Sequence, residues 1–161
     1  MKLFQHVQTP CVGVCSTGIG DSVCRGCKRF DYEVIRWNSY DGSQKFSIDQ
    51  RLDHLLSGVV ANRLHIFDSQ RLADQLKLQQ VRYASYRDPY CWLHELLRAG
   101  ASQIKDTQDY GFNRREQEEQ WTLLQLREQI DHEFYLLSVA HYERYIVANQ
   151  FRARQGSDDN R

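Results

Sequence analysis

The chain has 161 residues, and its 21 Lys and Arg residues balance its 21 Asp and Glu residues. A neutral chain lacks the overall positive charge that draws many proteins to nucleic acid. Hydrophobic residues make up 41% of the chain, which indicates a globular protein and not a disordered one. There is no apolar run long enough for a signal peptide or a membrane span, so we expect a cytoplasmic protein with reduced thiols.

The first distinctive feature is the cysteine segment, residues 10–30, which reads "PCVGVCSTGIGDSVCRGCKRF". It contains Cys11, Cys15, Cys24 and Cys27 in the spacing C-x3-C-x8-C-x2-C. Two close pairs of thiols joined by a short turn can surround one metal centre with four sulfurs. A reducing compartment disfavours disulfides between them. We therefore predict these four cysteines as metal ligands.

The spacing of the cysteines favours Zn²⁺ over an iron–sulfur cluster without excluding the cluster. Four protein thiolates close the coordination sphere of Zn²⁺, which makes such a site structural. The common iron–sulfur runs, C-x2-C-x2-C and C-x4-C-x2-C, do not occur in this segment. We therefore predict Zn²⁺ as the cofactor and keep an iron–sulfur cluster as the alternative. Arg25, Lys28 and Arg29 would offset the negative charge of either centre.

From residue 31 onward the sequence predicts one helix after another, so the predicted fold class is mostly α. Asp31 is a candidate N-cap, with Val34, Ile35 and Trp37 on the apolar side of its helix. A second helix is expected to begin at Ser47, with Gln50 completing a capping box. Its apolar stripe is predicted at Ile48, Leu52, Leu55, Leu56, Val59 and Leu64, with Phe67 as an optional last member.

Three further helices are predicted along the remaining chain. Asp68 can cap a short third helix, and Asp88 followed by Pro89 is a strong start for a fourth. Asn113 and Glu116 form the capping-box pattern of the longest helix. Its predicted stripe comprises Leu123, Leu126, Ile130, Phe134, Leu137, His141, Tyr145 and Ala148.

These elements predict a helical single domain with a small N-terminal four-cysteine metal knuckle. The predicted boundaries are 1–30 for the cysteine-rich knuckle, 31–150 for the helical domain and 151–161 for a flexible tail. The knuckle is expected to need the metal, because residues 11–30 are rich in glycine and poor in large apolar side chains.

The cysteine segment resembles a bacterial family known as domain of unknown function 1289. The resemblance rests on Pro10-Cys11, the gap to Cys15, the "CRGC" at 24–27 and the following Trp37, and it covers roughly residues 10–55. The stretches "DPYCW" at 88–92 and "AHYERYI" at 140–146 are similar to extended gamma-proteobacterial members. The resemblance implies a bacterial cytosolic protein, often labelled a predicted iron–sulfur protein, and implies no known reaction.

Other candidate sites have plainer interpretations. We expect Cys91 to be a small buried hydrophobe and not a reactive thiol. We expect His132, Glu133, His141 and Glu143 to be solvated or hydrogen-bonded, because the Glu-x-x-His spacing of a di-iron site is absent from the sequence. The segment 81–92 alternates arginines with aromatic residues, and we expect it to pack as an internal seam.

The sequence therefore favours a non-enzymatic metal-binding protein that acts as an interaction or adaptor module. The motifs of P-loop, dinucleotide-binding, nucleophile-elbow and zinc-protease enzymes do not occur in the chain. We expect a protein partner docked beside the cysteine knuckle, where Arg25, Lys28, Arg29 and Arg36 supply positive charge that the metal site would partly offset. The alternatives are an iron–sulfur redox or sensing protein and an RNA-associated module that uses Arg25, Lys28, Arg29 and the Arg/Tyr seam.

Overall fold

The computed structural model describes residues 7–158, and its side chains are described up to residue 154. The fold is mostly helical, as the sequence predicts. The chain forms two compact units, the first comprising residues 1–49 and 135–161 and the second comprising residues 50–134. Among the described residues, there is not one helix that combines the length and the apolar character needed to cross a membrane.

The main elements follow one another in chain order, with short 3-10 turns between several of them. They are α1 (Asp31–Arg36), α2 (Gly42–Arg63), β1 (Leu64–Ile66), α3 (Ser69–Leu78), α4 (Pro89–Gly100), β2 (Phe112–Arg114), α5 (Leu123–Tyr142) and α6 (Ala148–Asp158). A five-residue π-helical turn, Glu143–Val147, joins α5 to α6. Residues 151–158 are thus helical where the sequence predicts a tail, and residues 159–161 lie outside the described part of the chain.

Helix α1 in the first unit buries a different face from the predicted one. Its buried side chains are Glu33 and, one turn later, Trp37, whereas Ile35 is 80% exposed. The helix is capped by a reciprocal pair, because the Phe30 N–H donates to Glu33 Oε1 at 2.8 Å and the Glu33 N–H donates to the Phe30 carbonyl at 3.0 Å. Burial of the Glu33 carboxylate turns Ile35 toward solvent. The prediction that Ile35 lies on the apolar side of the helix was therefore wrong.

Helix α2 begins five residues before the predicted start at Ser47. A capping box forms at Asp41 and Gln44, where each backbone N–H donates to the side chain of the other residue at 3.0 and 2.8 Å. Ser47 instead lies inside the helix, and its hydroxyl donates to the Ser43 carbonyl at 3.1 Å. Two capping patterns occur close together in this sequence, and the earlier one starts the helix.

The second unit contains a two-stranded antiparallel sheet that the sequence analysis did not predict. Strand β1 pairs with β2 in the register Leu64↔Arg114 and Ile66↔Phe112. Leu64, predicted as part of the α2 stripe, is buried but belongs to β1. Gly111 precedes β2 at a φ of +77°, and a Cβ there would collide with the Asp68 carbonyl.

The predicted starts of α3 and α4 are confirmed. Asp68 accepts a hydrogen bond from the Arg71 N–H at 2.9 Å, and Asp88 accepts one from the Tyr90 N–H at 2.9 Å.

Apolar side chains from all the main elements of the second unit are buried. The most deeply buried are Leu52, Val59, Val60, Leu64, Leu72, Leu76, Leu93, Leu97, Phe112, Leu126 and Ile130.

Helix α5 begins at Leu123 and not at the predicted Asn113–Glu116 box. Asn113 pairs in β2, and the cap comes from Thr122 and Gln125, which exchange hydrogen bonds of 2.9 and 3.2 Å. The predicted stripe is buried as far as Phe134. Beyond it Leu137 is 37% exposed while Ser138 is buried, so the later part of the stripe was wrong.

Candidate metal centre

A tight hairpin presents Cys24 and Cys27. Val23 and Phe30 form an isolated antiparallel bridge at its base. Within it the Cys24 N–H donates to the Arg29 carbonyl and the Lys28 N–H donates to the Cys24 carbonyl, both at 2.8 Å. Lys28 has a φ of +63°, a left-handed conformation that reverses the chain directly after Cys27. The C-x2-C spacing thus folds into a closed turn held by its own backbone.

The hairpin packs directly on the chain that links the other two cysteines. A Cβ on Gly26 would collide with the Val14 carbonyl and lie 2.9 Å from Val12 Cγ2. The Arg25 N–H donates to Ser16 Oγ at 2.8 Å. Residues 12–16, which lie between and next to Cys11 and Cys15, therefore contact the turn that holds Cys24 and Cys27.

The four cysteines differ in exposure. Cys24 and Cys27 are buried, whereas Cys11 and Cys15 are exposed. Cys15 Sγ lies 3.1 Å from Thr17 Oγ1. Within residues 7–158, no group of three or more His, Cys, Asp or Glu side chains is arranged to hold a metal ion. The structure thus brings the Cys24 and Cys27 side chains together, and it packs residues 12–16 against their turn. The set of four sulfur ligands stays a prediction.

The surroundings of Cys24 favour a thiolate. Burial by itself raises the pKa of this thiol, but hydrogen bonds from the backbone amides of Cys27, Ser16 and Gly26 and from the Cys27 side chain outweigh it and lower the pKa from 9.0 to about 7. Because the thiolate is the form of cysteine that binds metals, this position fits a metal ligand.

Cys27 has a cationic neighbour. Burial raises the pKa of the Cys27 thiol above 9.0, and the hydrogen bond and positive charge of Arg29 offset only part of this rise. Arg29 Nε donates to Cys27 Sγ at 3.2 Å. The Arg29 guanidinium lies over the Trp37 ring, 4.8 Å from its centroid. The Arg29 guanidinium would stabilise Cys27 as a thiolate if a metal displaced its proton.

Two of the four basic residues near the cysteines are buried, whereas Arg25 and Arg36 are exposed. Lys28 and Arg29 are only 3% and 4% exposed, and Lys28 Nζ donates to the Gly26 carbonyl at 3.1 Å. Arg25 remains exposed and pairs with Asp21 at 3.0 Å. The hairpin folds the Lys28 and Arg29 side chains inward, so these two residues do not contribute to an exposed basic surface.

Cys91 is a buried residue of α4, as predicted. Its thiol lies 2.9 Å from Asp53 Oδ1. Burial, together with the hydrogen bond to Asp53 and its negative charge, raises the pKa of Cys91 far above the ordinary value, so the thiol stays neutral and unreactive.

The aromatic seam and the α5 carboxylates also have structural roles. The Tyr83 and Trp92 rings pack with centroids 5.2 Å apart, and Trp92 Nε1 donates to the Ala84 carbonyl at 3.0 Å. Glu133 forms an ion pair with Arg63 at 3.0 Å. These contacts confirm the expected packing of the seam and the hydrogen-bonded state of Glu133.

Comparison with known proteins supports the resemblance of the cysteine segment. Residues 9–55 match the model of a family described as "Protein of unknown function (DUF1289)", which is the family predicted from the cysteine pattern. The matched span contains all four predicted ligands and Trp37. The searches of curated proteins and of solved structures returned no significant match.

Proposed function

We propose that the span matching this family holds a four-cysteine metal centre, with Zn²⁺ as the preferred ion and Cys11, Cys15, Cys24 and Cys27 as its ligands. The observation that carries the proposal is the close contact of the two cysteine-bearing segments at Gly26. The sequence spacing alone shows two close pairs of cysteines. The contact at Gly26 supports the proposal that both pairs lie at one site.

The chemistry of the hairpin supports a thiolate-binding metal. Backbone amides point at Cys24 and lower the pKa of its thiol, and the Arg29 guanidinium donates to Cys27, where it would stabilise a metal-bound thiolate. Zn²⁺ bound by four thiolates has no open position for substrate, so the metal would stabilise structure and not perform a reaction. Such sites supply about 10–16 kcal/mol of apparent binding energy, which is ample for ordering a short segment.

The first test is the metal content and visible absorption of protein purified without oxygen. We expect colourless protein with equimolar zinc. A brown protein that contains iron and inorganic sulfide would support the iron–sulfur alternative, in which the same four cysteines serve a redox or sensing role. Protein that contains neither metal and cannot be loaded with either would contradict the proposed centre.

We also propose that the metal centre supports an interaction surface in a cytoplasmic, non-enzymatic protein. The cysteine segment exposes apolar side chains, with Val14 65% and Ile19 86% exposed. Such side chains, held in place by a metal site, suit a protein partner better than a nucleic acid, because Lys28 and Arg29 are buried.

Photo-crosslinking can test this second part. A photo-reactive amino acid at Ile19 should give a discrete protein adduct in cells, and the adduct should disappear in a Cys24→Ser background. The matched control is Leu78, which is 73% exposed in the second unit and should give no such adduct. Crosslinking of Ile19 to RNA in place of protein would support the RNA-associated alternative.

A further inference from the structure

We propose that Arg29 is a positioning residue of the metal centre, which fixes the Cys27 sulfur and supplies a buried positive charge beside it. This inference rests on the proposed function, because it takes Cys27 as a ligand. Arg29 Nε donates to Cys27 Sγ at 3.2 Å, and the whole residue is only 4% exposed. The contact therefore lies where water does not screen it.

The backbone and one aromatic ring fix Arg29 in this position. Its carbonyl accepts the Cys24 N–H at 2.8 Å, so Arg29 closes the same hairpin that carries both cysteines. Its guanidinium lies 4.8 Å from the centroid of Trp37, which is itself buried. Trp37 follows α1, so the helix holds the ring on which the guanidinium rests.

Negative charge on the Cys27 sulfur, as in a metal-bound thiolate, would compensate the buried guanidinium of Arg29. A buried guanidinium costs several kcal/mol unless negative charge and hydrogen bonds compensate it. A hydrogen bond from a cation to a thiolate is stronger than one to a neutral thiol. Lysine cannot replace arginine here, because an ammonium group presents a mobile point charge and not the planar Nε–H donor.

Arg25 provides a matched control within the same turn. Its guanidinium also lies 4.8 Å from an aromatic centroid, that of Tyr135. Its Nε, however, donates to Asp21 at 3.0 Å, and its side chain is 64% exposed. Removal of Arg25 therefore takes one positive charge from the turn without taking a hydrogen bond from a sulfur.

The experiment compares wild type, Arg29→Met, Arg29→Lys and Arg25→Met. Zinc affinity is measured by competition with a chromophoric chelator, and the sulfur environment is followed through the thiolate-to-metal charge-transfer bands of the Co²⁺-substituted protein. We expect Arg29→Met to lower zinc affinity about 10- to 100-fold, the usual effect of losing a group that hydrogen-bonds to a metal ligand. The bands should shift in both Arg29 variants, and Arg25→Met should match wild type in both measurements.

The outcomes separate this inference from the proposed function. If the wild type binds no metal, the proposed function and the inference both fail. If wild type binds zinc and Arg29→Met has the same affinity and bands, the inference alone is overturned. Circular dichroism shows whether Arg29→Met folds. If Arg29→Met does not fold, the Arg29→Lys variant tests the inference. Zinc affinity equal to that of wild type, with unshifted Co²⁺ bands, would then overturn the role of the Arg29 Nε–H donor.

Discussion

The two cysteine pairs differ in how far the protein chain prepares them for a metal. Cys24 and Cys27 are buried in a hairpin in which backbone amides point at the Cys24 sulfur and Arg29 donates to the Cys27 sulfur. Cys11 and Cys15 are exposed, and the structure gives Cys15 a hydroxyl neighbour in Thr17. The second pair is therefore the pre-organised half of the proposed site, and metal binding would complete the first.

The largest expected effect comes from removal of a ligand. Replacement of any one of the four proposed ligands with Ser should abolish stoichiometric zinc binding, because a tetrahedral four-thiolate site then loses a ligand. Cys91→Ser is the control and should keep its zinc, because Cys91 is buried against Asp53 in the second unit. Zinc content by elemental analysis checks both, and full occupancy in Cys24→Ser would contradict the ligand assignment.

The next effect should come from separating the two pairs without touching a sulfur. In Gly26→Ala the new methyl group would collide with the Val14 carbonyl, so the two segments must move apart. Overpacking of this kind costs about 1–3 kcal/mol, which corresponds to roughly 5- to 150-fold in metal affinity.

Gly18→Ala is the matched control for Gly26→Ala. It adds the same methyl group inside the cysteine segment, where nothing lies within 4 Å. Its zinc affinity, measured by chelator competition, should equal that of wild type. Equal affinities for both glycine variants would show that the contact at Gly26 does not bring the two pairs together.

A smaller effect should follow removal of the metal itself. Chelation should raise amide exchange throughout residues 11–30, and more in residues 11–16 than in residues 23–30, because the hairpin keeps its own hydrogen bonds. Far-UV helicity should change little, because the second unit has its own buried apolar core. Hydrogen exchange measured by mass spectrometry checks whether residues 11–16 exchange faster than residues 23–30. A cooperative loss of all helix would instead show that the cysteine segment is integral to the core.

The smallest effect concerns pH in the metal-free protein. The pKa of Cys24 is lowered from 9.0 to about 7, so its contribution to stability is present above pH 9 and is lost as pH falls through about 7. Alkylation of Cys24, resolved by mass spectrometry, should reach half its maximal rate near pH 7, and that of Cys27 only at higher pH. A Cys24 profile centred near the ordinary value of 9.0 would contradict the role of the amides.

Local signals made part of the fold predictable from sequence. The caps at Asp68 and Asp88 were correct because each side chain bonds to a backbone N–H two or three residues away. The starts of α2 and α5 were wrong because a second capping pattern lies nearby in each case, and local propensity does not rank them. Strands β1 and β2 have three residues each, too short to carry a period-2 pattern.

The sequence nominates candidate ligands but does not predict their surroundings. The cysteine spacing is a local pattern that proposes four sulfurs, and these ligands stay a prediction. The inward placement of Lys28 and Arg29 depends on a left-handed turn and on a ring eight residues further along the chain, at Trp37. Charged side chains are mostly exposed, so composition alone pointed to exposed Lys28 and Arg29 side chains, which the hairpin buries.

The most direct test of the central claim is X-ray absorption at the zinc edge of the purified protein. A site made of both cysteine pairs should show four sulfur scatterers at about 2.3 Å and no nitrogen or oxygen ligand. Two sulfurs accompanied by nitrogen or oxygen at about 2.0–2.1 Å would contradict the claim, because the hairpin pair would then bind the metal without Cys11 and Cys15.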